Sequence, residues 1–167
     1  MSVFRIRLSD LRPGSNRIRL QAPAAAAGLD PEAWSSPLEL DLGVDRLGDQ
    51  LTLRGTASTR IEEECARCLR HFESAMVFEF NAFADRSAGI RGADAEALGE
   101  YLLQHDGRSL DLADEVREQA ILARPMLSLC RPDCAGLCPR CGEDLNSGPC
   151  GCAGAGASEA SPGGPST

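Results

Sequence analysis

The sequence predicts an α+β fold rich in β-structure. An antiparallel strand meander, or a partly open barrel, carries one packed helix and a C-terminal cysteine-rich arm. Several segments alternate apolar and polar residues with the period of a strand, and one has an apolar stripe with the period of a helix. Six of the eight cysteines lie within residues 130–152. We therefore predict a β-rich core over residues 1–129, the arm over 130–152 and a disordered tail over 153–167, which is rich in Gly, Ser and Pro.

The strand-like alternation recurs along the first half of the chain. It occurs in residues 3–8, 17–20, 37–45, 51–61 and 76–83. The first two segments flank a Pro-Gly-Ser-Asn turn, which predicts a hairpin between them. The last two flank Cys65 and Cys68, so we expect these two cysteines at the tip between antiparallel strands.

One helix is predicted, over residues 112–124. Asp111 is a favourable N-cap, and Asp114 and Glu115 bring acidic groups to the first turn, where they complement the helix dipole. Pro125 ends the helix because it biases the preceding residue away from the α region. The apolar stripe is expected to pack against the sheet.

The charge of the chain is acidic and uneven. The formal net charge is −8 and every basic residue is arginine, yet residues 1–20 hold five arginines and one aspartate. An acidic body argues against extensive sequence-independent binding of nucleic acid. A small basic patch still provides a possible contact for RNA or a partner protein. Its candidate residues are Arg5, Arg7, Arg17 and Arg19.

No targeting or membrane segment is predicted. The first ten residues have charges among the apolar positions, and no stretch approaches the roughly 18 apolar residues of a membrane span. We therefore expect a cytoplasmic protein with reduced thiols and no membrane interaction.

The eight cysteines form four local pairs. The pairs are Cys65 and Cys68, Cys130 and Cys134, Cys138 and Cys141, and Cys150 and Cys152. Eight sulfurs in four pairs suit two tetrahedral Zn²⁺ ions, each bound by two pairs. Loop closure favours joining the last two pairs, because only eight residues separate them, and leaves the first two pairs to share an ion. The other two divisions stay open.

Closed sites of four thiolates indicate a structural role for the metal. A catalytic zinc keeps one position open and needs a base nearby. We therefore predict neither enzyme activity nor a small-molecule substrate. Iron–sulfur ligation is chemically allowed. A thiol- or metal-responsive switch and a nucleic-acid-binding zinc ribbon are the alternative functions, although neither Cys-x-x-Cys pair precedes the helical pattern that would activate a redox thiol.

Three segments carry a family resemblance: residues 64–69, 110–126 and 129–146. In order and spacing they resemble the YceD family of bacterial and plastid proteins, also called large ribosomal RNA subunit accumulation proteins. The resemblance implies a role in accumulation or processing of 23S ribosomal RNA, and hence in large-subunit biogenesis. It implies ribosomal RNA, a large-subunit ribosomal protein or an assembly factor as partner, and it supplies no catalytic residues.

Overall fold

The computed structural model describes residues 3–85, 103 and 106–154. The chain divides into two compact units. The first consists of Met1–Glu63 and Phe72–Met126, and the second of Glu64–His71 and Leu127–Thr167. The second unit therefore combines the turn that contains Cys65 and Cys68 with the cysteine-rich arm. Most of the predicted tail, from residue 155 onward, lies outside the described residues.

The described ranges contain six strands and two antiparallel sheets. The strands are β1 (Arg5–Arg7), β2 (Gly14–Ala22), β3 (Leu38–Leu47), β4 (Gln50–Glu64), β5 (His71–Asp85) and β6 (Ser109–Asp111). Strands β2 to β5 lie side by side in chain order, which is the topology of a meander. Strands β1 and β6 form a separate two-stranded sheet. The β-rich α+β class is confirmed, and the described strands do not close into a barrel.

The predicted hairpin between residues 3–8 and 17–20 is wrong. Strand β1 pairs with β6, whereas β2 pairs with β3 over its whole length, Gly14 opposite Arg46 to Ala22 opposite Leu38. A 3-10 helix over Leu8–Asp10 turns the chain immediately after β1. Because β3 offers a much longer complementary alternation, β2 pairs there instead.

The described residues contain one α-helix, α1 (Ala113–Ala123). Asp111 was predicted as the N-cap, but Leu112 occupies that position and Asp111 lies one residue before it. The Asp111 carboxylate still stabilises the first turn, because it accepts a hydrogen bond from the Ala113 N–H at 3.1 Å. The helix ends at Arg124, whose backbone is extended before Pro125. The Arg124 guanidinium donates to the buried Glu63 carboxylate at 2.8 Å, which ties the end of the helix to β4.

The core of the first unit is built from alternate strand residues and one face of α1. On β3 and β4 the inward positions are almost completely buried: Leu38, Leu40, Leu42, Val44, Leu51, Leu53, Ala57 and Ile61. From α1, Val116 and Ala120 are fully buried in the same core. Burial of each large side chain contributes roughly 1.5–3 kcal/mol. Within the described ranges, no helix has the length and apolar character required to span a membrane.

Candidate metal centres

The eight cysteines form two groups of four in the second unit. Cluster A consists of Cys65, Cys68, Cys130 and Cys134. Cluster B consists of Cys138, Cys141, Cys150 and Cys152. In each cluster the four sulfur atoms lie within 4.8 Å of one another. The structure therefore brings the predicted metal ligands together in the division that loop closure favoured.

The sulfur spacing fits a tetrahedral metal ion. Four sulfurs bound at about 2.3 Å to one tetrahedral Zn²⁺ lie about 3.8 Å apart. In cluster A, the Cys65 and Cys134 sulfurs are 3.7 Å apart, and so are those of Cys68 and Cys130. All eight thiols are free, and these distances far exceed the roughly 2.05 Å of a disulfide bond. Both clusters can hold metal ions.

The same backbone turn presents the first pair of each cluster. The Leu69 N–H donates to the Cys65 carbonyl at 2.9 Å, and the Gly142 N–H donates to the Cys138 carbonyl at 2.9 Å. Leu69 and Gly142 are both left-handed, with φ of 56° and 76°. Such a turn bends the chain tightly enough to direct both of its sulfurs to one ion.

Backbone N–H groups prepare one thiol of cluster A for ionisation. Hydrogen bonding from the backbone N–H of Cys130 lowers the pKa of the buried Cys65 thiol to about 6. Although the Arg70 N–H acts in the same direction on Cys68, burial and the neighbouring thiols raise the pKa of Cys68 to about 12. The neighbouring thiols of cluster A therefore oppose the ionisation of Cys68. A divalent ion would remove this conflict by binding the sulfurs as thiolates.

Two side chains donate to the sulfurs of cluster A. The Arg70 guanidinium lies 3.3 Å from the Cys130 sulfur, and this contact raises the pKa of Arg70. The Asn146 side-chain amide donates to the Cys134 sulfur at 3.5 Å, and it lowers the pKa of Cys134 against the opposing effect of burial. Both contacts stabilise thiolates, and the arginine offsets part of the negative charge that four thiolates leave on one divalent ion.

Backbone hydrogen bonds also lower the pKa of one thiol in cluster B, whose cysteines are less buried than those of cluster A. Backbone N–H groups of Cys141 and Arg140 lower the pKa of the Cys138 thiol to about 6. The Cys141 thiol raises the pKa of its neighbour Cys152 to about 12. Cys141 is exposed and Cys152 is half-buried, whereas Cys130 is the one member of cluster A that is not buried. Solvent and competing ligands therefore reach cluster B more easily.

Asn146 and Gly136 organise the arm around cluster A, and neither was predicted from the sequence. The side-chain oxygen (Oδ1) of Asn146 accepts hydrogen bonds from the Ala135 N–H at 2.8 Å and from the Arg131 guanidinium at 2.7 Å. Gly136 has φ of 77°, and an added Cβ would lie 3.0 Å from the Arg67 carbonyl oxygen. The available signal was their position in a Gly-rich segment between cysteine pairs, which does not specify a contact.

Arg5, Arg7 and Arg17 line one surface pocket, but three of the four candidate arginines are ion-paired with carboxylates. On β2, Arg17 binds both carboxylate oxygens of Asp41 at 2.7 Å, and Arg19 contacts the same carboxylate at 3.1 Å. The Arg17 hydrogen bond lowers the pKa of Asp41 to about 2, so the carboxylate is charged at neutral pH. On β1, Arg5 pairs with Asp111 at 3.2 Å. A contact of these arginines with RNA or a partner stays a prediction.

Curated relatives of this chain occur in mycobacteria. An uncharacterized protein of Mycobacterium tuberculosis and one of Mycobacterium bovis are each 33% identical to it over 115 residues, covering 67% of this chain and 53% of the relative. An uncharacterized protein of Mycobacterium leprae is 31% identical over 114 residues, covering 67% of this chain and 51% of the relative. The chain thus spans about half the length of the curated relatives it matches. No solved structure matches it significantly.

A family model covers the part of the chain that contains both clusters. The model described as large ribosomal RNA subunit accumulation protein YceD matches residues 53–161, more than half of the chain. All eight cysteines and α1 lie within this range. The match confirms the resemblance noted in the sequence, and the chain belongs to the YceD family.

Proposed function

We propose that this chain is a non-catalytic factor that supports accumulation or processing of 23S ribosomal RNA, and so biogenesis of the large ribosomal subunit. The family match over residues 53–161 supports this proposal. We propose a cytoplasmic protein that acts on ribosomal RNA, a large-subunit ribosomal protein or an assembly factor. A small-molecule substrate and a membrane have no part in this role.

The proposal includes two structural Zn²⁺ ions, one in each cluster. The observation that carries it is the convergence of four sulfurs on one point in both clusters, with a spacing in cluster A that suits tetrahedral zinc. Bound zinc would supply a cross-link between segments of the second unit. Because each ion receives four thiolates, neither ion has an open position for a substrate or a reactive water. This donor set favours stabilisation of a folded surface over catalysis.

Affinity capture from cells tests the proposed role. A tagged full-length chain is recovered at low salt, and the eluate is analysed by RNA sequencing and mass spectrometry beside an untagged control. We expect enrichment of 23S ribosomal RNA, its precursors or large-subunit proteins. Deletion of the gene is expected to lower the 23S to 16S ratio, and wild type but not Cys65→Ser should restore it. An eluate without ribosomal components, together with an unchanged ratio, would contradict the role.

One observation favours a second candidate function, a thiol- or metal-responsive switch. Cys141 of cluster B is exposed, so a thiol reagent can approach it directly. Alkylation of the purified chain with and without a chelator separates the two functions. A structural role predicts that the cysteines react only after the metal is removed. Rapid oxidation of cluster B at low peroxide concentration, with release of metal and altered capture of ribosomal components, would favour the switch.

A further inference from the structure

A groove of about 860 Å³ in the first unit is lined by arginines from separate parts of the chain. Arg5 and Arg7 come from β1, Arg46 comes from β3, and Arg108 comes from the turn before β6. Among the described lining residues, Asp106 is the one acidic side chain. These five side chains carry a formal charge of +3, which Asp111, the ion-pair partner of Arg5, reduces to +2 in a chain whose net charge is −8.

The pairing of β1 with β6 fixes two of these arginines. Arg5 lies opposite Asp111 and Arg7 lies opposite Ser109, while the intervening Ile6 is buried in the core. Because side chains alternate along a strand, Arg5 and Arg7 emerge on the same exposed face. The short β1 strand therefore positions two guanidinium groups at the same side of the groove.

The Asp106 carboxylate stabilises the turn that contains Arg108 through hydrogen bonds, and it forms no ion pair with the Arg108 guanidinium. Its carboxylate accepts from the backbone N–H groups of Arg108 and Ser109 at 2.8 and 2.6 Å, and from the Ser109 hydroxyl at 3.0 Å. The Leu8 N–H donates to the Arg108 carbonyl at 2.8 Å, which joins this turn to the end of β1. These hydrogen bonds leave the Asp106 carboxylate negatively charged, and it also interacts electrostatically with Arg5.

The arginines of the groove outnumber its acids by four to two, counting Asp111, which pairs with Arg5. Arg46 donates to the Leu11 carbonyl at 2.7 Å, which orients its side chain but leaves its charge in place. Arg5 pairs with Asp111 at 3.2 Å, and an ion pair this exposed to solvent contributes little free energy. Within the described ranges, neither Arg7 nor Arg108 has an ion pair. Like charges brought together from three elements repel one another, and this repulsion would be relieved by an anion.

We infer that this groove, the arginine groove, binds the phosphate groups of an RNA backbone. The guanidinium group donates two parallel hydrogen bonds in the geometry that a phosphate accepts. The choice of RNA rests on the proposed function, whereas the anion site follows from the charge of the groove. The structure also changes the candidate set: Arg46 and Arg108 join Arg5 and Arg7, while Arg17 and Arg19 are held by Asp41.

Fluorescence anisotropy of a labelled 20-nucleotide single-stranded RNA with the full-length protein tests this inference. The double variant Arg7→Gln/Arg108→Gln removes two charges from the arginine groove. The matched control Arg54→Gln/Arg117→Gln removes two exposed charges elsewhere in the first unit. Each binding curve is measured at several salt concentrations. Circular dichroism and metal content establish that every variant is folded, and the single variant Arg7→Gln replaces the double variant if that one is not.

We expect the groove variant to raise Kd at least tenfold, and the control to stay within about twofold of wild type. Loss of two phosphate contacts should also reduce the slope of log K against log salt by about 1.4, since each contact to a single strand contributes roughly 0.7. Arg7→Lys/Arg108→Lys keeps the charge and should recover most of the slope. Equal weakening of the groove variant and the control would overturn the inference, because binding would then depend on total charge alone.

Capture from cells distinguishes this inference from the proposed function. If wild type enriches ribosomal components but does not bind the RNA, the arginine groove is not an RNA site. The proposed function would then depend on binding to a ribosomal protein or an assembly factor. If the groove variant specifically loses RNA while wild type enriches no ribosomal component, the groove binds RNA and the proposed function fails. If the groove variant also loses the 23S ribosomal RNA that wild type captures, both are supported.

Discussion

Clusters A and B use the same turn in two different settings. In cluster A the fifth residue of the turn is Leu69, and in cluster B it is Gly142, although both have positive φ and donate the same 2.9 Å hydrogen bond. Cluster A joins cysteines as far apart as Cys65 and Cys134, separated by 69 positions. Cluster B closes over a short local segment. The same local geometry therefore contributes to one cluster assembled over a long sequence separation and to one assembled locally.

This difference predicts unequal consequences of metal loss. Closing a long loop restricts the unfolded chain more than closing a short one, although the increase with length is slow. The sulfurs of cluster A are also more buried and receive hydrogen bonds from Arg70 and Asn146. We expect cluster A to bind its ion more tightly and to stabilise more of the second unit, and cluster B to exchange its ion first.

The largest effect is expected from the loss of a cysteine in cluster A. Cys65→Ser removes a ligand that is completely buried, so it should cost a substantial part of the roughly 10–16 kcal/mol of apparent zinc-binding energy known for zinc-finger peptides. Cys152→Ser, at a half-buried ligand of cluster B, is the matched variant and should cost less. Metal content and thermal unfolding measure both. A Cys65→Ser protein with two ions and an unchanged Tm would contradict the greater contribution of cluster A to stability.

A smaller effect is expected at the side chain that donates to cluster A. Asn146→Asp keeps an acceptor for the Ala135 N–H but replaces the amide donor to the Cys134 sulfur by a negative charge. Loss of such an outer contact typically lowers metal affinity 10- to 100-fold. Competition with a chelator should show this loss at cluster A alone. Equal loss at both clusters would mean that Asn146 supports the whole arm and not one site.

Two glycine substitutions separate close packing from backbone strain. Gly136→Ala combines a positive φ with a 3.0 Å approach to the Arg67 carbonyl oxygen, whereas Gly142→Ala has a positive φ and no atom within 4 Å of the added Cβ. Strain alone costs about 1–2 kcal/mol, so Gly142→Ala should lose about that much and Gly136→Ala should lose more. Chemical denaturation of the metal-loaded protein measures the difference. Equal losses would contradict the close approach at Gly136.

The smallest effect is expected at Leu69, which occupies in the turn of cluster A the position that Gly142 occupies in the turn of cluster B. Leu69 is left-handed and 55% exposed, so its side chain gains little from burial while its backbone is strained. Leu69→Gly should raise the stability of the loaded protein by up to about 1 kcal/mol, because glycine adopts positive φ without a Cβ clash. Leu69→Ala keeps the Cβ and is the control. Destabilisation by Leu69→Gly would show that the leucine side chain makes a stabilising contact.

The sequence predicted what depends on local pattern and spacing. The alternation in residues 37–61 placed β3 and β4, and the short interval between Cys141 and Cys150 favoured the grouping of cluster B. The pairing of β1 with β6 was missed because three-residue strands have too few positions to specify a distant partner. The arginine groove was not predicted, because Arg46 and Arg108 are distant from β1 in the sequence and approach it only in the folded chain.

Stepwise metal release tests whether the eight cysteines form two closed metal sites of unequal stability. The loaded full-length chain is titrated with a chelator, its metal content is followed by native mass spectrometry, and its thiols are alkylated and mapped at each step. We predict two ions per chain, with release of the first exposing the four cysteines of cluster B while those of cluster A stay protected. A single ion, or loss of protection at Cys65 and Cys138 in the same step, would contradict two sites of unequal stability.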